Sequence, residues 1–239
     1  MDRDLILDLE TRSIRALPPA ETVQLGRWIV ALGRGSVGRL NSCTTFGESP
    51  RRALFERIEA VERRYAARGR ETRFRLTELD SHLDARLETR GYARSEDVIV
   101  MTGPVGGRTD DSVAVARAAG PTWLARYEEW GGHDELRTAE IGEALGSLTL
   151  DTGVFSSPAS IGVAVLDPPW VGLFDLITDP EQRSKGHGRR LTEAMLAWAA
   201  QQGAERSWLQ VHSSNEAAIA LHRSLGFTES HRYWYRTDF

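Results

Sequence analysis

The run Asp179-Pro180-Glu181-Gln182-Arg183-Ser184-Lys185-Gly186-His187-Gly188-Arg189-Arg190-Leu191 constrains the fold more than any other stretch. It joins an apolar strand to an amphipathic helix through a cationic turn punctuated by glycine. Upstream, Val171 to Thr178 is short, apolar and bounded by Pro169 and Pro180, the pattern of a strand buried in the middle of a sheet. Downstream, Leu191, Ala194, Met195 and Trp198 recur at helical spacing, and Gly203 supplies the stop. Gly186 and Gly188 have no Cβ, so the backbone between the two elements can turn sharply and bring free N–H groups at a helix N-terminus against an anion. The helix dipole and the charges of Arg183, Lys185 and Arg189 then favour a phosphate-rich ligand. Alone, Arg-x-x-Gly-x-Gly is also compatible with a plain basic surface turn, and the neighbouring segments decide for the cradle.

Arg206 to Val211, with Trp208, Leu209 and Val211, suits a second strand, and the polar turn Ser213-Ser214-Asn215 follows. A short helix capped by Ser214 or Asn215 presents Ala218, Leu221 and Leu225 on one face and ends at Gly226 before Phe227. This order of strand, Arg-x-x-Gly-x-Gly, helix, strand, Asn, helix and Leu225-Gly226-Phe227 resembles the GNAT superfamily of acetyl-coenzyme A-dependent N-acetyltransferases, from about Ile161 to the C-terminus. The resemblance implies an α/β (α+β) fold with a mixed central sheet flanked by helices, and acetyl-CoA as co-substrate with no metal. It is silent about the acceptor.

Composition is compatible with that reading. The chain has 239 residues, enough for one large domain or two small ones. The formal net charge of -4 creates no basic field that would call for nucleic acid or an anionic membrane. No apolar run approaches the roughly 20 residues of a membrane span, and Met1-Asp2-Arg3-Asp4 is too charged for a signal peptide, so a cytoplasmic location is expected. A single cysteine, Cys43, excludes an intrachain disulfide and a cysteine-based zinc site. Lys185 is the only lysine beside a large excess of arginine, a bias that reads as genomic composition rather than chemistry.

From the front, Asp2 to Arg15 reads as a helix ended by Pro18-Pro19, and extended runs Leu25 to Leu32 and Val37 to Phe46 flank Gly33-Arg34-Gly35-Ser36 as a hairpin. Ser49-Pro50 starts a helix with the stripe Leu54, Phe55, Ile58, Val61 and Tyr65. Thr72 to Leu76 is a strand, and Thr77 to Arg90 a helix closed by Gly91. Leu87-Glu88-Thr89-Arg90-Gly91-Tyr92 before the strand Asp97 to Met101 echoes Ser224-Leu225-Gly226-Phe227 before Tyr233 to Arg236. The first copy has no Arg-x-x-Gly-x-Gly, so it should not hold coenzyme A. Residues 1–95 therefore read as a degenerate GNAT-like half, similar to tandem GNAT proteins, and 96–239 as the half that binds acetyl-CoA. An unrelated α+β extension is the other reading of the front, and Gly103 to Arg108 is the best linker.

The chemistry requires an amine to lose a proton, attack a thioester carbonyl and pass charge to a departing thiolate, and positioning does most of this work. The resemblance implies that the backbone of Leu176, Ile177 and Thr178 meets the acetyl and pantetheine groups. It likewise gives the pyrophosphate to the backbone through Arg183, Ser184, Lys185, Gly186, His187, Gly188 and Arg189, and the pantetheine arm or a nearby water to Asn215. Asp175 sits mid-strand between Phe174 and Leu176, where an unpaired carboxylate is costly. It is either a general base facing a wet cleft or a structural partner of a neighbouring loop or strand end. His212 is a second base candidate or a surface histidine. His222 stands where many family members place a tyrosine acid, and serves as that acid or packs beside the cofactor. Tyr233 or Tyr235 is an alternative acid or simply core.

The resemblance implies a small-molecule or peptide amine as acceptor. Thr122 to Gly146, and the N-terminal half with it, would wall its cleft, with Trp123, Tyr127, Trp130, Glu128, Glu129, Asp134 and Glu135 forming either an aromatic, anionic wall or an ordinary solvated helix face. Besides an active N-acetyltransferase, two other readings are open: a non-catalytic acyl-CoA-binding or sensing module, and a nucleotide-binding protein. The last lacks the Gly-Lys-Ser/Thr ending of a phosphate loop.

Overall fold

Hydrophobic periodicity sets the order of elements in the computed structural model, which describes residues 2–47 and 53–238. The Ser49-Pro50 helix start lies outside the described residues. Asp2 caps α1 (Arg3–Ala16), and β1 (Thr22–Leu25), β2 (Trp28–Ala31), β3 (Cys43–Thr44), α2 (Leu54–Ala66), β4 (Arg73–Thr77), α3 (Ser81–Thr89) and β5 (Ala93–Pro104) follow. Then come β6 (Ala114–Ala116), α4 (Pro121–Gly131), α5 (Glu135–Gly146), β7 (Thr152–Ser156), β8 (Ser160–Asp167), β9 (Trp170–Thr178), α6 (His187–Gln201), β10 (Arg206–His212), α7 (Glu216–Ser224) and β11 (Thr228–Thr237). Among the described residues, the strands form one mixed sheet in the order β1-β2-β3-β4-β11-β5-β10-β9-β8-β7-β6. None of the described helices is long and apolar enough to cross a membrane.

The order is symmetric about the β11–β5 pair. β3 and β4 are parallel on one side, as β9 and β10 are on the other, and each pair is followed outward by an antiparallel neighbour. The strand that ends the first half, β5, pairs with β10 and β11, while the strand that ends the second, β11, pairs with β4 and β5. The expected boundary at 95/96 falls inside β5, and the segment from Gly103 contributes that strand's end before the connection to β6.

Both faces are covered. Leu191, Met195 and Leu196 of α6 pack on Ala164, Leu173 and Leu209 of the sheet, and Trp123, Tyr127 and Ile141 of α4 and α5 pack on the opposite face with Leu9 of α1. A third cluster holds Ile58, Val61 and Tyr65 of α2 and Leu83 and Leu87 of α3 against Phe74 and Leu76. Phe55, expected on the apolar stripe of α2, is 53% exposed, since it sits one position off the row Leu54, Ile58, Val61, Tyr65 that faces the sheet.

The front hairpin differs from expectation. Its tight turn is Gly26-Arg27, with Gly26 at φ +65° and Leu25 paired to Trp28, and Val37 to Phe46 contains only the short strand β3. The intervening loop is diverted because its amides bond to a side chain of α5: Gly35 N and Val37 N donate to the Glu140 carboxylate, each at 2.8 Å. Thr77 to Arg90 begins with a 3-10 turn at Glu78–Asp80 before α3.

Candidate active site

Strand β9 is the hinge of the site. It pairs in parallel with β10 from Trp170↔Arg206 to Leu173↔Leu209 and no further. Asp175 takes φ +50°, and the register of β9 against β8 slips between Ile161 and Val163, so a bulge turns the end of β9 away from β10. Aspartate tolerates the left-handed region better than most residues, which permits the bulge without a glycine. Among the described residues the edge of β9 toward β10 has no strand partner beyond Leu173, and a cleft of about 700 Å³ opens there.

Leu176, Ile177 and Thr178 line one wall of this cleft, and Arg183, Ser184, Gly186, His187, Gly188 and Arg189 line its end. Gly186, at φ +80°, starts α6 without a side-chain cap. The first intrahelical bond there runs from Arg190 N to Gly186 O, so the preceding amides of the first turn have no acceptor within the helix. A Cβ on Gly188 would lie 3.3 Å from Thr178 Oγ1 and 3.6 Å from Leu221 Cδ2, so the backbone here approaches both walls closely. Arg189 donates to Ser224 Oγ, and Arg190 bonds His187 Nδ1 at 2.8 Å, which braces the loop. The Lys185 ammonium turns back to Glu181 O and Gln182 Oε1 and is not among the lining groups, so only its backbone belongs to the turn. A glycine-opened turn, uncapped amides and a long cleft beside them suit a pyrophosphate with an extended arm.

Asn215 borders the same cleft, and its side chain accepts Ala218 N at 3.1 Å as the cap of α7. His222 lies deeper on the same wall, 4% exposed, with Nδ1 lacking a partner and Phe227 edge-on at 5.6 Å. Burial lowers its pKa to about 4, so it is neutral at pH 7 and offers an N–H rather than an imidazolium proton.

The other acid-base candidates surround a second cavity of about 250 Å³, lined by Leu173, Phe174 and Asp175 of the same strand together with Gln210, His212, Tyr233 and Tyr235. Asp175 has a partner: Arg39 Nη2 lies 3.2 Å from Oδ1 and 3.4 Å from Oδ2. His212 bonds Ser214 Oγ at 2.7 Å on the surface. Tyr233 donates to Gln210 Oε1 at 3.2 Å, and its ring lies under Arg75. The sequence candidates thus fall in two groups, His222 and Asn215 at the first cavity and Asp175, His212 and Tyr233 at the second.

Residues without a sequence signal complete the site. His133, just after α4, lines the first cavity with Trp130 and stacks on Tyr127 at 4.5 Å. Burial lowers its pKa and Arg137 lowers it further, against the opposing pull of Asp175 and Asp134. Arg39 and Arg137 line the second cavity. The acids Glu128, Glu129, Asp134 and Glu135 line neither cavity, and Trp123 and Tyr127 are buried in the core, so of the two readings of this segment the ordinary solvated helix face with packing aromatics fits, and the charges at the second cavity's wall include two arginines. Asp134 instead caps α5.

A family model described as "Probable histone acetyltransferase Rv0428c C-terminal" matches residues 5–236. The chain is 30% identical over 232 residues to the probable histone acetyltransferase Rv0428c of Mycobacterium tuberculosis, covering 95% of this chain and 72% of that one. A GCN5-related N-acetyltransferase from Kribbella flavida superposes with a TM-score of 0.71 at 15% identity, over 97% of this chain and 95% of that one. A tandem GNAT protein from the clavulanic acid biosynthesis pathway gives 0.63 at 14% identity, over 97% and 87%.

Proposed function

Since the chain belongs to the Rv0428c C-terminal family of GNAT acetyltransferases, we propose that it transfers an acetyl group from acetyl-CoA to a primary amine by direct attack in a ternary complex. The observation that carries this reading is the cleft between the splayed ends of β9 and β10, which opens onto the uncapped amides of α6. The α6 turn holds the pyrophosphate, the free edge of Leu176 to Thr178 takes the pantetheine and acyl carbonyl, and His222 N–H faces the sulfur. Acetyl-CoA supplies the activated acyl group. The amine attacks the carbonyl as the C–S bond breaks, and its proton passes to the protein or to water.

His133 suits that proton better than His212, because it lines the first cavity with Leu176, Ile177 and Thr178 and stays neutral below the ordinary histidine range. Asp175, anchored by Arg39, attracts the ammonium form of the acceptor. His133→Gln is expected to lower kcat while acetyl-CoA affinity is kept, and to remove the acidic limb of the pH profile. In the wild type that limb lies below the usual histidine value, since the neutral form persists until pH falls through the lowered pKa. Asp175→Asn should instead raise the acceptor KM and leave the limb in place. An acidic limb that survives in His133→Gln and disappears in Asp175→Asn would exchange the two roles.

The N-terminal half acts as a degenerate partner that holds no coenzyme. The same spacing separates Asp80 from Gly91 and Asn215 from Gly226, which makes Asp80 the counterpart of the cleft asparagine. Asp80 reaches across to Thr45 Oγ1 at 2.6 Å and Gly47 N at 3.0 Å, stapling the end of β3 to the end of β4 where the C-terminal half is open. Calorimetric titration should therefore return one acetyl-CoA per chain. Acetyl-CoA and coenzyme A, but not ATP, should raise the melting temperature, and thiol release over an amine panel tests turnover. Two molecules per chain, or protection by ATP alone, would sink this assignment.

A further inference from the structure

The second cavity is built by both halves. Its upper wall, Ser36 to Arg39, comes from the N-terminal half and lies across from Asp175 and Gln210. This loop has no strand to hold it. It is held by Glu140 of α5, 5% exposed, which accepts Gly35 N, Val37 N and Asn41 Nδ2 at 2.8 Å each. A Cβ on Gly33 or Gly35 would collide with the Glu140 carboxylate, so glycine at these positions is what lets the carboxylate enter the loop.

The product of this clamp is a placed cation. The Arg39 side chain is only 15% exposed, packs 5.1 Å from the Phe174 ring centroid and contacts Asp175 through Nη2 alone. Its Nε and Nη1 have no acceptor among the described residues, although an enclosed guanidinium normally fills its fork of donors. Arg137 adds a second positive charge, and Asp175 is the one carboxylate of the lining among the described residues. The cavity therefore sets the spare donors of Arg39 beside a carboxylate, within a volume that suits a small molecule.

We infer that Arg39, delivered by the N-terminal half and positioned by Glu140, is a specificity-determining residue that selects a small acceptor whose amine carries a nearby carboxylate, as a free amino acid does. The inference rests on the acetyltransferase reading above. The acceptor's anionic group takes the spare donors of Arg39 and its ammonium lies toward Asp175, an arrangement that a lysine side chain of a polypeptide cannot reproduce. Charge-assisted hydrogen bonds of this kind discriminate by roughly tenfold or more.

The test compares kcat/KM by thiol release for free amino acids, the same amino acids as carboxamides, and a lysine peptide with blocked ends. The wild type is expected to favour the carboxylates by about tenfold or more. Arg39→Gln should bring that preference close to unity through the acceptor KM, with the acetyl-CoA KM unchanged. Arg39→Lys should keep part of the preference, and Glu140→Gln should weaken it without touching the cavity lining. Equal rates for carboxylate and carboxamide, a preference that survives Arg39→Gln, or acetylation confined to the lysine peptide would each overturn the inference while leaving the acetyltransferase reading intact. Absence of acetyl-CoA binding would instead sink the reading beneath it.

Discussion

Replacing Gly188 by tryptophan is expected to lower acetyl-CoA affinity by at least about a hundredfold, equivalent to losing two charge-assisted hydrogen bonds of about 1.5 kcal/mol each. Gly188 lies in the first turn of α6, outside the left-handed region, so a side chain there strains no backbone angle. An added Cβ meets only Thr178 Oγ1 at 3.3 Å and Leu221 Cδ2 at 3.6 Å, a tight fit that small shifts absorb. The indole beyond it, however, has no buried core to enter and must lie in the cleft, over the amides that would receive the phosphates. Gly188→Ala should accordingly bind with little loss, and the tryptophan variant should melt close to the wild type in the absence of ligand. Calorimetric titration of both variants with acetyl-CoA checks this. Wild-type affinity in a folded Gly188→Trp protein would mean that the phosphates lie elsewhere and that the glycines serve only the turn.

That prediction rests on the part of the site that sequence reveals best. The strand, the glycine turn, α6, β10 and α7 are contiguous, each is stabilised by local periodicity and capping, and each is found within a residue or two of where pattern puts it. The residues that surround the proposed acceptor site are another matter. Arg39 meets Asp175, and Glu140 meets Gly35 and Val37, across gaps in sequence that no local pattern spans. The glycines of Gly33-Arg34-Gly35-Ser36 read naturally as a hairpin turn, yet they are there to admit a carboxylate. His133 follows a glycine helix stop and looks like loop, and only the stacking of α4 against β9 brings it to the cleft. The acids of α4 and α5 left two readings open for the converse reason, since charge in a local window says nothing about which helix face meets the sheet, and the packing decides for the solvated face.

The exchange of β5 and β11 was equally hidden, although the echo that signals it was visible. Leu87 to Tyr92 and Ser224 to Phe227 announce two equivalent helix ends, but which strand each following segment pairs with is a tertiary choice. The consequence is functional. Because β11 runs between β4 and β5, Tyr233 and Tyr235 reach the second cavity, the proposed acceptor site, from a strand that lies between two strands of the N-terminal segment. The N-terminal segment thus contributes both a wall of the second cavity and the framework beneath it.

That framework contains a buried charge pair, and Arg75→Met is expected to destabilise the fold by about 3–5 kcal/mol at pH 7. Arg75 Nη2 lies 2.8 Å from Glu10 Oε1, with both side chains 2% exposed, and His231 Nε2 lies 3.1 Å from the same oxygen. Arg75 also covers the Tyr233 ring at 3.6 Å, and Ser13 links it onward to Gln210 of the second cavity. Burial raises the pKa of Glu10, but Arg75 and His231 together outweigh it and hold the carboxyl below its ordinary value of 4.5. With the folded pKa depressed, the pair's contribution is complete above the unfolded carboxylate range and is lost as pH falls through the folded value. Removing Arg75 leaves burial dominant, so the folded pKa of Glu10 rises above the unfolded one and the variant's deficit shrinks toward acid. Denaturant melts at pH 7 and pH 5 should therefore show the gap between wild type and Arg75→Met narrowing at the lower pH. Replacing both partners, Glu10→Leu with Arg75→Met, should recover most of the loss, because no uncompensated charge remains. A gap independent of pH and unrelieved by the double replacement would mean that Arg75 acts through its packing on Tyr233 rather than through its charge.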